Sequence, residues 1–194
     1  MTATGAMTGA VPERLLGEIG EADARIARAA GGLSVHQLQW RPPEGGWGIG
    51  DVLEHLVVSN EDYLVRLRRL VHEGAGRAAG APGRGADGWR PSLMGGFLAR
   101  SLRAPRKLPA PKIWRPAQEP GADALERFLR GERELADLLR ASVALDWRRT
   151  RLSSPVSRLV RLNLGDAFEI AAAHVTRHAG QVERIREHAG FPAA

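Results

Sequence analysis

Gly165-Asp-Ala-Phe-Glu-Ile-Ala-Ala-Ala-His174-Val-Thr-Arg-His178-Ala-Gly-Gln181 is the stretch whose reading decides the fold. Phe168, Ala171, Val175, Val182 and Ile185 recur at helical spacing, so a helix is expected from about Gly165 to His188, with Gly190 and Pro192 stopping it. At about 100° per residue, His178 falls roughly 40° from His174, and Gln181 roughly 20° to the other side. Ile170, Ala171 and Ile185 lie within about 60° of the same direction. The two histidines therefore point along the apolar stripe. Residues four apart share one face of a helix, so two imidazoles placed this way can share a ligand.

Working outward, three further segments carry the same period. One runs from about Pro12 to Ala30, with Leu15, Leu16, Ile19 and Ile26 on one side and Pro12 suited to a first turn. A second, about Ile49 to Glu73, has Val52, Leu56, Tyr63, Leu67 and Leu70 as its stripe. The third, about Ala122 to Leu145, offers Leu125, Phe128, Leu129, Leu135 and Leu138 or Leu139. Between the second and third lies a Gly/Pro/Arg segment from about Gly74 to Pro120. Within it, residues 76–85 read as a flexible loop tip, and Pro91 to Arg103 can hold a short helix with Leu93, Met94, Phe97 and Leu98. Pro105, Pro109, Pro111 and Pro116 then impose an extended path. No repeats and no convincing alternating strands are visible. The expected architecture is all-α: a four-helix bundle with one long crossover between its second and third helices, a layout that often places metal sites between facing helices.

The 194 residues suit a single domain, taken as 12–190 with the crossover insertion at 74–120, a flexible N-terminal stretch 1–11 and a short tail 191–194. There is no cysteine, which removes disulfides, thiolate nucleophiles and thiolate metal ligands. No signal peptide and no apolar run of membrane-spanning length is present, so a cytoplasmic protein without a membrane partner is expected. The formal charge is +6, carried almost wholly by arginine; Lys107 and Lys112 are the only lysines. From Arg84 to Arg115 there are eight basic residues against the single acid Asp87, a net +7 that accounts for the charge of the whole chain.

On the second helix His55 stands at the edge of the apolar stripe, with Asp51, Ser59 and Asp62 toward the polar side. Buried imidazoles need partners, and one metal ion would satisfy several at once. Three histidines with an open fourth position form the pattern of a catalytic metal site. Taken alone, however, a histidine at a core edge is more often a hydrogen-bonded structural residue than a ligand. The pair is not a zincin motif, since Val175 stands where His-Glu-x-x-His carries its catalytic Glu. His36 lies in a loop-like stretch, His72 at a helix end, and His188 about 15 Å along the helix from His178. Gln181 either fixes the helix or orients a ligand.

Trp40-Arg-Pro-Pro-Glu-Gly-Gly-Trp47-Gly-Ile-Gly-Asp-Val-Leu-Glu-His55-Leu resembles the entry to the second helix in the DinB-like superfamily of metal-binding four-helix bundles. The stretch from Gly165 to Gln181 resembles that family's closing helix, and Ala-Pro-Lys-Ile-Trp-Arg-Pro116 is similar to segments of its members. The resemblance spans about Pro12 to His188. One departure is Gly48, where members usually carry a capping Ser or Thr; Gly caps at modest cost, and Asp51 is placed to share the role.

The resemblance implies that His55, His174 and His178 are metal ligands. With no thiolate available, zinc, nickel, iron and manganese all suit an imidazole set. It also implies a metal-dependent S-transferase or related thiol-using enzyme, working with a low-molecular-weight thiol such as bacillithiol, mycothiol or glutathione on small electrophiles. The Arg-rich crossover would then recognise carboxylates, although a solvated, partly disordered loop is the plainer explanation of it. Two alternatives stand beside this reading. One is a metal-dependent hydrolase, with Asp51, Glu54 or Asp62 as general base. The other is a non-enzymatic, stress-related module binding metal or nucleic acid, for which no recognised nucleic-acid motif speaks. Relatives are often homodimers.

Overall fold

The computed structural model describes residues 10–78, 85, 86, 88–105 and 108–193. It is mostly helical: α1 (Ala10–Ala30), α2 (Val35–Gln39), α3 (Ile49–Ala78), α4 (Leu93–Arg103), a single 3-10 turn (Lys112–Trp114), α5 (Ala124–Ala141) and α6 (Leu164–Arg186). Two short strands, β1 (Arg151–Ser153) and β2 (Arg161–Asn163), pair antiparallel with Leu152 opposite Leu162. No helix among the described residues is long and apolar enough to cross a membrane.

The four long expected helices are present as α1, α3, α5 and α6, and the short helix expected in the crossover is α4. Several details differ. Residues 1–9 of the expected flexible N-terminus lie outside the described residues, while Ala10 and Val11 already belong to α1. The second helix continues past Glu73 to Ala78, and the rest of the expected loop tip, apart from Gly85, lies outside the described residues. His36 is in a helix: Ser34 accepts from the Gln37 amide while Gln37 accepts from Ser34, a reciprocal cap that nucleates α2. The strands contradict the expectation of none. At three residues each they are too short to display alternation, and they serve to deliver Asn163, whose side chain caps α6.

Packing follows the apolar stripes. Helix α1 lies against α6 and α5, and α3 lies against α5 and α6. Leu15, Ile19 and Ile26 of α1, Val52, Leu56 and Leu67 of α3, Phe128 and Leu139 of α5, and Phe168, Val175 and Val182 of α6 share one core. Ion pairs fix the directions. Arg14 meets Glu169 at 2.5 Å and Arg25 meets Glu183 at 2.6 Å, so α1 and α6 run the same way. Glu54 meets Arg127 and Asn60 meets Glu132, so α3 and α5 also run the same way. A parallel pair cannot be joined by a tight turn, and α4 and the 3-10 turn lie between the two helices in chain order.

Helix α4 closes the arrangement with its small residues. Gly95, Gly96 and Ala99 are buried against α6, whereas Leu93, Met94 and Phe97 face outward. The joint is polar at its centre. Asp166 accepts from the Ser92 amide at 2.9 Å, from the Ser92 hydroxyl at 2.7 Å and from the Asn163 amide at 3.2 Å. One carboxylate thus serves the first turns of both α4 and α6.

Candidate metal centre

His55 is placed by the start of α3. Gly48 precedes the helix, and its amide donates to Asp51 at 2.9 Å. A Cβ at Gly48 would lie 2.0 Å from the carbonyl oxygen of Trp40, so this close approach excludes the Ser or Thr expected at the position. The cap moves to Asp51, which also receives two bonds from Arg41, at 2.7 and 2.8 Å. Trp47 then packs on the His55 ring, with centroids 4.9 Å apart.

The structure brings together the three histidines singled out from the sequence. His55 from α3 meets His174 and His178 from α6, with one ligand-capable nitrogen of each lying within 4.8 Å of the others. His55 is 2% exposed, deeper than an edge position, and His178 is also buried; His174 keeps a partly exposed surface toward solvent. His36, His72 and His188 are not part of the cluster. His188 instead packs on Trp40 and meets Glu44 at 3.2 Å.

Each ring is oriented from outside. The His55 Nδ1–H donates to the Trp114 carbonyl at 2.8 Å, leaving Nε2 as the lone-pair nitrogen facing inward. Gln181 Oε1 lies 3.0 Å from His178 Nδ1 and accepts its N–H, which gives this residue a role as orienter of an imidazole. The Nε2 atoms of His55 and His174 face each other at 3.1 Å. Two nitrogens at that distance either share one proton or share one electrophile.

The electrostatics keep all three rings neutral. Burial pushes His178 down to about 3, with His55 adding to the effect. Burial likewise holds His174 well below the ordinary imidazole value, helped by His178, His55 and Arg177. His55 is lowered by burial against a partly opposing bond to Trp114. Neutral imidazoles keep their lone pairs available. The donor set fits a metal ion: two imidazole nitrogens at about 2.0–2.1 Å from one ion lie roughly 3.0–3.4 Å apart, and His55 and His174 stand at 3.1 Å.

The carboxylates considered as a general base are engaged elsewhere. Asp51 is held by Arg41 and Gly48, Glu54 by Arg127, and Asp62 accepts the Trp114 indole N–H at 2.6 Å. The basic segment is also divided. Arg103 is bound to Glu18 and Glu169, tying α4 to α1 and α6, while Arg90, Arg100, Lys112 and Arg115 are exposed. Arg84, Asp87, Arg106 and Lys107 lie outside the described residues. Sequence reasoning missed the Trp114 carbonyl as the partner of His55. A main-chain oxygen carries no residue signature, and the one signal in its segment is the family-like Ala-Pro-Lys-Ile-Trp-Arg-Pro116.

A mostly helical chain with a buried three-histidine cluster able to hold a metal ion is thus defined by fold and site together. Residues 18–182 match the family model described as the DinB superfamily, and the chain belongs to that superfamily. No curated protein and no solved structure matches the chain.

Proposed function

We propose that this chain is a four-helix bundle of α1, α3, α5 and α6 with a long crossover carrying α4, and that His55, His174 and His178 hold a divalent metal ion in a thiol-using enzyme of the S-transferase type. The observation that carries this reading is the convergence of three neutral imidazoles from two helices. Membership in the DinB superfamily supports it. An ion held by three imidazoles with a further position open lowers the pKa of a bound thiol or water and polarises a carbonyl. The residues of the chain bind and orient: Trp114 and Gln181 set the rings of His55 and His178, Trp47 covers one side of His55, and the exposed part of His174 marks the side open to solvent. The substrates are then a low-molecular-weight thiol and a small electrophile, in a cytoplasmic setting. The hydrolase reading is the weaker one, because Asp51, Glu54 and Asp62 are already bound to other groups.

Elemental analysis of purified wild type beside His55→Ala and His174→Ala tests the site. One equivalent of metal is expected in wild type and little in either variant; equal metal in all three would remove the site. Loaded wild type should then consume added thiol in the presence of an electrophile, and stop on chelation. Turnover of a hydrolysable substrate without thiol would favour the hydrolase instead.

A further inference from the structure

The 3-10 turn Lys112–Trp114 does more than pass over the histidines. Its last residue makes two long-range bonds to α3. The main-chain carbonyl of Trp114 accepts from His55 Nδ1 at 2.8 Å, and the indole Nε1–H of the same residue donates to Asp62 Oδ2 at 2.6 Å. Asp62 stands seven residues, about two turns, beyond His55 on the same helix. Apart from the packing of the Trp114 ring, few hydrogen bonds fix the turn. It has no side-chain cap, its internal bonds are Trp114 to Pro111 and Arg115 to Lys112, and Pro109, Pro111 and Pro116 around it lack an N–H. Trp114 is 7% exposed, so an indole N–H without its acceptor would be a buried, unsatisfied donor.

We infer that Asp62 is a positioning residue for the metal centre: it holds the Trp114 indole, and through that residue it fixes the carbonyl that sets the tautomer and orientation of His55. This rests on the metal reading above. The route is short and purely structural. A carboxylate–indole bond is charge-assisted and directional, and the carbonyl it steadies lies on the same residue. The rings around it agree with one packed unit, since Trp114 lies 6.1 Å from Tyr63 and 6.4 Å from both His55 and His174. Without the anchor the turn swings free, His55 Nδ1–H loses its acceptor, and the imidazole can rotate or place its proton on the inward-facing Nε2. Asp62 touches neither metal nor substrate in this scheme. The same bond engages one oxygen of Asp62 and speaks for a structural use of this carboxylate over service as the base of a hydrolase.

The test uses the full chain with Asp62→Leu, Asp62→Asn, Trp114→Phe and the double variant Asp62→Leu/Trp114→Phe. Two quantities are read: zinc affinity by competition with a chromogenic chelator, and the His55 tautomer by nitrogen-15 NMR of the metal-free protein. Asp62→Leu and Trp114→Phe should each weaken zinc binding about tenfold, at the low end of losses typical for groups that orient a metal ligand. In both, proton should appear on His55 Nε2. Asp62→Asn keeps an acceptor and should stay within about threefold of wild type. The double variant should be no weaker than either single one, because both remove the same bond. Trp114→Phe preserves an aromatic ring, the main chain and the carboxylate, so it carries the test if Asp62→Leu does not fold. Wild-type affinity and an unchanged tautomer in Trp114→Phe would overturn the inference. A wild-type protein that takes up no zinc would overturn the metal reading instead, and the tautomer measurement would still decide whether Asp62 orients His55.

Discussion

At the scale of single residues, the behaviour of the centre depends on which nitrogen of each imidazole carries the proton. A neutral imidazole has one donor and one acceptor, and the partner of the donor decides which nitrogen is left for a ligand. For His178 that partner is Gln181, one turn further along α6 at 3.0 Å. Burial drives His178 down to about 3, so across the neutral range it is this bond, and not ionisation, that controls the ring. Gln181→Leu removes the acceptor at nearly constant volume. Zinc affinity is expected to fall about tenfold, while Gln181→Glu, which still accepts, stays close to wild type. Chelator competition separates the two. Equal affinities for wild type and Gln181→Leu would reduce Gln181 to packing alone.

At the scale of elements, the joint between α4 and α6 shows how one substitution can have opposite signs at two helical positions. A Cβ at Gly95 would sit 2.2 Å from Oδ1 of Asp166, a carboxylate already fixed by Ser92 and Asn163. Gly95→Ala must push α4 off α6 or break those bonds, a destabilisation of about 1–3 kcal/mol by comparison with other overpacked cores. Gly17 lies exposed within α1, with open space where a methyl group would stand, so Gly17→Ala should stabilise by about 0.5–1 kcal/mol. Urea denaturation of both variants checks the pair, and the same sign for both would refute the argument. The elements themselves are legible in the sequence to different degrees. The long helices α1, α3, α5 and α6 can be read because their stripes repeat over several turns. So can the three histidines, because His174 and His178 share a stripe and His55 follows Trp47 on another. The strands are not legible at three residues each, nor is α2 at five, although Ser34 and Gln37 carry its capping signature. Gly48 reads as a weakened cap in the sequence, and only its approach to Trp40 shows why glycine is required there. Asp166 and the Trp114 carbonyl escape because their roles lie in partners 59 to 74 residues away or in the main chain.

At the scale of the whole molecule, two buried clusters of opposite chemistry set how stability responds to pH. The first is the histidine trio. Their folded values lie below the ordinary 6.5, so between those values and 6.5 the unfolded chain binds more protons. The stability they contribute is complete above about pH 6.5 and is lost as pH falls toward 3. The second lies where α1, α3 and α5 meet, and its polarity is invisible in the helical stripes. Glu132 is 1% exposed, takes the Asn60 amide on one oxygen and leaves the other without a partner; Asp23 of α1 also has a buried oxygen without one. Burial raises both carboxyls, Glu132 to about 8 with Asp23 adding to it, so the folded state holds protons that the unfolded chain has released above its ordinary value of 4.5. The sign is therefore reversed: this contribution is complete below about 4.5 and is lost as pH rises through about 8. Where the windows overlap, between about 4.5 and about 6.5, the two contributions oppose each other. Above about 6.5 the contribution of the trio is complete, and the two raised carboxyls set the slope. The metal-free protein should thus lose stability from about pH 6.5 toward about pH 8.5, with a slope of at most about 1.4 kcal/mol per pH unit for each proton held. Glu132→Gln is close in shape to the protonated acid and cannot ionise. It should flatten the decline above about pH 6.5 and, with one opposing carboxyl removed, steepen the histidine-dependent loss below it. Urea midpoints at constant ionic strength from about pH 5 to about 8.5 measure both limbs, and parallel curves for wild type and Glu132→Gln on the alkaline side would show that the buried acid does not hold its proton.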